Sequence, residues 1–337
     1  MKLDINIRIF LIALFFSLLA SAFNAKVSHA LVPDVTVFNN NDLCAGNPVS
    51  GGIFTQANAS CEFQPDVQKI NFFKLELCTE LPTGPTTSTI ADNTNCVTFY
   101  QNDGGSFVTV KRNAGTQIGK AEDYSSVPHG IYTHGIVTMG AVFKFKTSVT
   151  FTDVMKDSGN NQGTTCVTKT SSLGKIYGRQ DNLTNFANGN VSCLNGAVAE
   201  EIELAVNTLT TGPGDNDCNH LINFTGTSGT VAAYLLESDM TLVDGVGAVE
   251  LDQIVDGTIG CNPDVDNGVA RLLGIMNFET PIVIDPSTAG LQIKYNNLRG
   301  MAIDEDTGTD FKFYKWDMSF FDFTLSVLRK RIKGVFR

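Results

Sequence analysis

Eight cysteines, four histidines and a surplus of carboxylates are the residues of this 337-residue chain with chemistry to offer. Cys44, Cys61, Cys78, Cys96, Cys166, Cys193, Cys218 and Cys261 all lie beyond an N-terminal stretch built like an export signal. Lys2 and Arg8 precede an apolar run over residues 9–19, and small residues follow at Ala20-Ser21-Ala22 and again at Ser28-His29-Ala30. Exported thiols meet an oxidising compartment, so disulfides are expected in place of metal ligation or thiol catalysis. No CxxC occurs, and His220, two residues from Cys218, lacks the companions of a zinc site. Roughly a hundred pairings of eight cysteines are possible. One has a mechanical argument: Cys78 closes an apparent strand, Cys96 opens the next, and a bridge would staple the polar loop 79–95 at its base. Extension to neighbours gives Cys44–Cys61, Cys166–Cys193 and Cys218–Cys261. Closing loops of these lengths stabilises by roughly 3–4 kcal/mol each in the chain-entropy model.

The histidines do not assemble a catalytic set. His129 and His134 are separated by an odd number of residues and would face opposite sides of a continuous strand. Neither a G-x-S-x-G elbow nor an H-E-x-x-H helix is present. Trp316, the single tryptophan, is expected to fill a core rather than to stack on a sugar. The sharpest local pattern is Asp304-Glu305-Asp306-Thr307-Gly308-Thr309-Asp310. Asp304, Asp306 and Asp310 can present oxygen ligands to Ca²⁺ around a turn at Gly308. The pattern departs from an EF-hand loop at Gly308, Thr309 and Lys315, and an acidic hairpin turn that needs no metal explains it as well. Similar, poorer loops occur at Asp264-Val265-Asp266-Asn267-Gly268 and Asp215-Asn216-Asp217. Carboxylates for a glycosidase pair are abundant, but abundance singles out no pair.

The elements that would carry these residues are strands. Apolar residues alternate with period two far more clearly than with the helical period. In Phe73-Lys74-Leu75-Glu76-Leu77 the apolar and charged residues take opposite faces. Along residues 131–145, Ile131, Val137, Met139, Phe143 and Phe145 share one face, with His134, Thr138 and Lys144 on the other. Phe321, Phe323, Leu325 and Val327 alternate with Asp322, Thr324 and Ser326. Turn signals separate these runs, among them Pro82-Thr83-Gly84-Pro85, Gly212-Pro213-Gly214 and the Asn-Gly pairs at Asn188, Asn195 and Asn267. The pattern predicts an all-β, disulfide-stapled antiparallel sandwich or jelly roll, as one large or two consecutive β-domains. Residues 1–30 form the signal, 31–156 an N-terminal and 164–328 a C-terminal β-domain, which a continuous sandwich would merge, and 329–337 a basic tail. The polar stretch 157–163 is the best hinge. Residues 197–209 fit either a helix or a strand.

Hydrophobic residues make up 42% of the chain, enough for a real core, and the net charge is −11. So acidic a surface repels nucleic acid and favours solubility. Arg329, Lys330, Arg331 and Lys333 gather after the last strand, where a weak contact with membrane phosphates or lipopolysaccharide competes with a plain solvated tail. The apolar run of the signal is short for a span, so cleavage and release to the periplasm, cell surface or medium is expected. Retention as an inner-membrane anchor is the alternative.

The block Lys74-Leu75-Glu76-Leu77-Cys78, then Cys96, then Pro128-His129-Gly130-Ile131-Tyr132-Thr133 resembles a group of exported β-rich proteins of aquatic gram-negative bacteria. In that group a KxELC strand precedes a PxGxYT strand. The likeness covers about a third of the chain, implies export and a β-fold, and carries no activity with it. Export, Thr/Asn/Gly-rich strands, disulfides and the lack of a catalytic set favour a structural or adhesive cell-surface protein. It would partner itself, other surface proteins or glycans. A calcium-dependent carbohydrate-binding module and an extracellular carboxylate-based glycoside hydrolase are the alternatives.

Overall fold

The computed structural model describes residues 31–32, 60–111, 116–177, 189–207, 209, 220–226, 229–243, 254–255, 258–259, 268–296, 300–306, 312–318 and 322–330. Its strands begin with β1 (Leu31–Val32), β2 (Ser60–Phe63), β3 (Val67–Cys78), β4 (Cys96–Lys111), β5 (Thr116–Gln117), β6 (Gly130–Gly140) and β7 (Val142–Lys146). Next come β8 (Ser148–Lys156), β9 (Gln162–Thr168), β10 (Lys175–Tyr177), β11 (Val191–Ser192), β12 (Ile202–Ala205), β13 (Leu221–Gly226) and β14 (Gly229–Leu236). The series ends with β15 (Ile254–Val255), β16 (Thr258–Ile259), β17 (Arg271–Ile284), β18 (Thr288–Asn296), β19 (Met301–Asp306), β20 (Lys312–Met318) and β21 (Asp322–Arg329). Among the described residues the only helical element is a 3-10 turn at Ala121–Asp123. The fold is all-β, disulfide-containing and sandwich-like, as the period-two alternation requires.

A nine-stranded sheet, ordered β10-β12-β7-β3-β6-β17-β14-β13 with β4 also on β3, forms one layer. Strand β3 is its organiser. One edge of β3 is paired along its length by β4, and the other first by β7 and then by β6. Strands β3, β6 and β7 precede residues 157–163 and β12, β14 and β17 follow them, yet all six are hydrogen-bonded into this one sheet. Residues 157–163 themselves close the β8–β9 hairpin, with the Asp157 N–H donating to the Asn161 carbonyl.

The inner face of the large sheet supplies Ile70, Phe72, Leu75, Leu77, Val137, Met139 and Leu272 to the main core. Leu291, Ile293 and Tyr295 of β18 and Leu325 of β21 cover that face from a second sheet, ordered β21-β18-β1-β5. Gln68, fully buried, donates its side-chain amide to the Tyr295 hydroxyl at 3.0 Å and so pairs its polar group across the layers. Met301, Ile303 and Trp316 from the β2-β19-β20 sheet, and Phe151, Met155 and Cys166 from the β11-β9-β8 sheet, join the same core.

Residues 197–209 resolve toward β-structure where they are extended: β12 pairs with β7, setting Ile202 opposite Phe145 and Leu204 opposite Phe143. Alternate carboxylates face lysines here, Glu201 just before β12 with Lys69 at 2.5 Å and Glu203 within it with Lys144 at 2.8 Å. Two details of the alternation differ from the sequence reading. Ile131 is 60% exposed and Tyr132 takes the core position instead. The change of phase lies within β6 and coincides with a shift of its register against β17 between Asn277 and Ile282, while β17 keeps Met276, Phe278, Ile282 and Ile284 inward throughout. The charged face of β3 is also only partly wet, with Lys74 28% exposed. A bulge at Phe73 sets Phe72 into the core, and Glu76 on the opposite side is 4% exposed.

Candidate functional site

That outer face brings together a carboxylate, an amine, an amide, a histidine and a disulfide. The ladder register aligns Glu76 with Thr98 of β4 and Ile136 of β6, and Cys78 with Cys96 and His134. Beneath them lies a second apolar cluster of Cys78, Ile136, Leu236, Leu273 and Ile275. Loop 79–95 folds back over this face. Its base is closed by the Cys78–Cys96 disulfide, the pairing expected from the spacing, with the two Cα atoms 4.0 Å apart. Thr79 donates its N–H to the Asn95 carbonyl, and the Thr133 hydroxyl donates to the Thr79 carbonyl. Farther out, the Leu242 N–H donates to the Thr86 carbonyl, and Gly84 passes so close to Tyr234 that an added Cβ would lie 2.2 Å from the phenol oxygen.

The returning loop delivers Asn93 to Glu76. The Asn93 Nδ2 donates to Glu76 Oε1 at 2.8 Å, the Thr98 hydroxyl donates to the same oxygen at 3.1 Å, and Lys74 Nζ lies 2.9 Å from it. An ionised carboxylate only accepts, so the asparagine turns its NH₂ toward Glu76. His134 stands diagonally from Glu76 on the neighbouring strand, with its Nδ1 2.8 Å from the Thr133 hydroxyl. Burial holds the His134 pKa below the ordinary histidine value, which favours the neutral ring at neutral pH. In the loop, the Thr94 hydroxyl, followed by the Thr94 N–H, lowers the Asp92 pKa and fixes the turn that presents Asn93.

A second polar cluster surrounds the Cys166–Cys193 disulfide, the other expected bridge within the described residues. Asp157 is fully buried. Its carboxylate accepts from the N–H groups of Gly159, Asn161 and Cys193 at 2.9–3.0 Å and from the Asn161 side-chain amide. Nearby, buried Asn190 exchanges two hydrogen bonds with the Trp316 backbone, while the indole Nε1 donates to the Val167 carbonyl at 3.0 Å. Trp316 is fully buried and unavailable as a stacking platform. Desolvation lowers the Lys169 pKa against the opposing pull of Asp157 and Glu200.

The remaining sequence candidates do not converge on either cluster. Asp304 and Asp306 lie on β19, where the register sets Lys315 opposite Asp304 and Lys312 opposite Asp306; Asp310 lies outside the described residues. Cys61 lies on β2, while Cys44, Cys218 and Cys261 lie outside the described residues, so the Cys44–Cys61 and Cys218–Cys261 pairings do as well. Among the described residues no three His, Cys, Asp or Glu side chains are grouped to hold a metal. His129 is exposed at the entry to β6 and His220 is buried beside β13. In the basic tail, Arg329 pairs with Asp285 at 2.7 Å and Lys330 donates to the Pro286 carbonyl at 2.7 Å, so both grip the β17–β18 turn. Arg331 and Lys333 lie outside the described residues. The Glu76 cluster itself escaped the sequence reading. Its signal was an opposite-charge pair two residues apart, on a strand ending in a cysteine whose partner follows an Asn-rich loop.

The disulfides belong to a non-reducing, exported environment. Among the described residues no helix is long and apolar enough to cross a membrane. Comparison with protein-family models, curated proteins and solved structures finds no match to this chain.

Proposed function

We propose that the protein is an exported structural or adhesive component of the cell surface, non-catalytic toward other molecules, that associates with itself, with other surface proteins or with glycans. The observation that supports this reading is how the buried polar groups are used. Glu76, Asp157 and Asn190 are each engaged by donors or acceptors of the same chain, beside a disulfide or a strand junction. Groups held this way stiffen a scaffold and are poorly placed to turn over a substrate. Assembly by donation of the C-terminal strand is disfavoured on this reading. Strand β21 is paired with β18 from Asp322 to Arg329, and the Arg329–Asp285 ion pair locks its end. Self-association then uses lateral contact between folded subunits. Fractionation of the source cells followed by electron microscopy of the surface material tests the proposal. Recovery in the surface fraction as filaments, a layer or a bound coat is expected. Recovery as a soluble monomer confined to the periplasm refutes it.

A further inference from the structure

The convergence of three side chains on a single carboxylate oxygen goes beyond holding a loop. We propose that Lys74 and Asn93 become joined by an intramolecular amide bond, with Glu76 as the proton-transfer group. The inference stands independently of where the protein resides.

Around one carboxylate oxygen the fold gathers the groups that amide exchange requires. Lys74 Nζ is the nucleophile, the Asn93 side-chain carbonyl carbon the electrophile, and the Asn93 NH₂ the leaving group. Both nitrogens lie within hydrogen-bond distance of Glu76 Oε1, at 2.9 and 2.8 Å. Such placement turns a slow bimolecular reaction into an intramolecular one with a large effective concentration. Within the ion pair, a proton passes from Lys74 to Glu76 and leaves a neutral amine with a free lone pair. That pair forms the Nζ–Cγ bond, and the tetrahedral centre collapses as the Cγ–Nδ2 pair departs on nitrogen. Glu76 gives this proton to the leaving nitrogen, which departs as ammonia, and takes up the second proton of Nζ; that proton leaves with the ammonia as ammonium, so the new amide is neutral and Glu76 is again a carboxylate. One amide forms, one breaks, and neither oxidant nor cofactor is consumed. Glu76 is buried to 4% exposure, which strengthens its hold on both nitrogens, while Lys74 and Asn93 are partly exposed. The loop is held in register for the reaction before it occurs, by Cys78–Cys96 and by the Thr79–Asn95 and Thr83–Asp92 backbone hydrogen bonds.

Two products are easily confused with this one: an unreacted ion-pair cluster and a succinimide formed by Asn93 alone, which also expels ammonia. Peptide mapping of the full-length protein, reduced and alkylated to open Cys78–Cys96, separates them. Trypsin cannot cleave after an acylated lysine, so the expected product is a single peptide spanning residues 70–111 and lacking one ammonia. Further cleavage after Glu80 should leave two chains that remain joined. Lys74→Arg should release peptide 75–111 at full mass, and Glu76→Gln should restore cleavage after Lys74. Ordinary cleavage at Lys74 in the wild type with full-mass 75–111 overturns the proposal. So does an ammonia deficit that persists in Lys74→Arg, which assigns it to a succinimide. Cross-linking that survives Glu76→Gln overturns the role given to Glu76.

Discussion

Opening the Cys166–Cys193 bridge by Cys166→Ala/Cys193→Ala removes a cross-link between residues 27 apart in sequence, both fully buried in the main core. In the chain-entropy model, freeing a loop of that length raises the entropy of the unfolded chain by an amount equivalent to about 3.5 kcal/mol at 25 °C. The contact that Asp157 makes to this region is to the backbone N–H of residue 193, so it survives the substitution and the loss is confined to the cross-link. Native packing changes by only one sulfur on each side. For a chain of this size roughly 2 °C of melting temperature accompanies each kcal/mol, so the midpoint should fall by about 7 °C. Urea denaturation is the better assay, because an uncrosslinked unfolded state exposes more surface and the slope m should rise as the midpoint drops. Each single variant also breaks the bridge, so the singles and the double should agree to within about 1 kcal/mol rather than add. A loss below about 1 kcal/mol, or singles that sum to the double, would refute the chain-entropy account of this bridge.

Three further expectations follow from the same packing. Asp157→Asn sets an NH₂ group against the donors at Cys193 and Asn161, so it should cost about 2–4 kcal/mol in chemical denaturation although its shape is unchanged. Gly84→Ala drives a Cβ into the Tyr234 ring and should loosen loop 79–95; faster proteolysis between Thr79 and Asn95 at an unchanged far-ultraviolet spectrum is the expected readout. The His134 pKa is lowered in the folded protein, so the unfolded chain takes up the proton first as pH falls below about 6.5, and stability declines from there down through the folded pKa. His134→Gln should flatten that part of the stability profile between pH 7.5 and 5, and an identical slope in wild type and variant would discard this account.

What could be read from the chain and what could not divide along one physical line. Alternation identifies which residues share a face, because the side-chain period of a strand is two irrespective of context. The same rule grouped Lys74 with Glu76 and assigned Leu75 and Leu77 to the core, and both features are present. It cannot say whether the opposite face meets water, since that depends on where a distant loop lands, and here loop 79–95 covers Glu76. Nor can it anticipate a change of phase within a strand where the pairing with its neighbour slips. Ile131 is exposed where the β6 ladder slips against β17 between Asn277 and Ile282, about 150 positions away along the chain. The Cys78–Cys96 bridge was legible for the opposite reason: strand end, polar loop and strand start are contiguous, so the cross-link is a local inference. Asn93 sits between these cases. It is near Glu76 in sequence, yet its delivery to the carboxylate needs the bridge, the Thr94–Asp92 turn and the hydrogen bonds of Thr79 to act together. A reactive cluster made of common residue types leaves no composition signature. It becomes visible only when the loop closes, which is why the chemistry of this face lies in three side chains that no motif would have grouped.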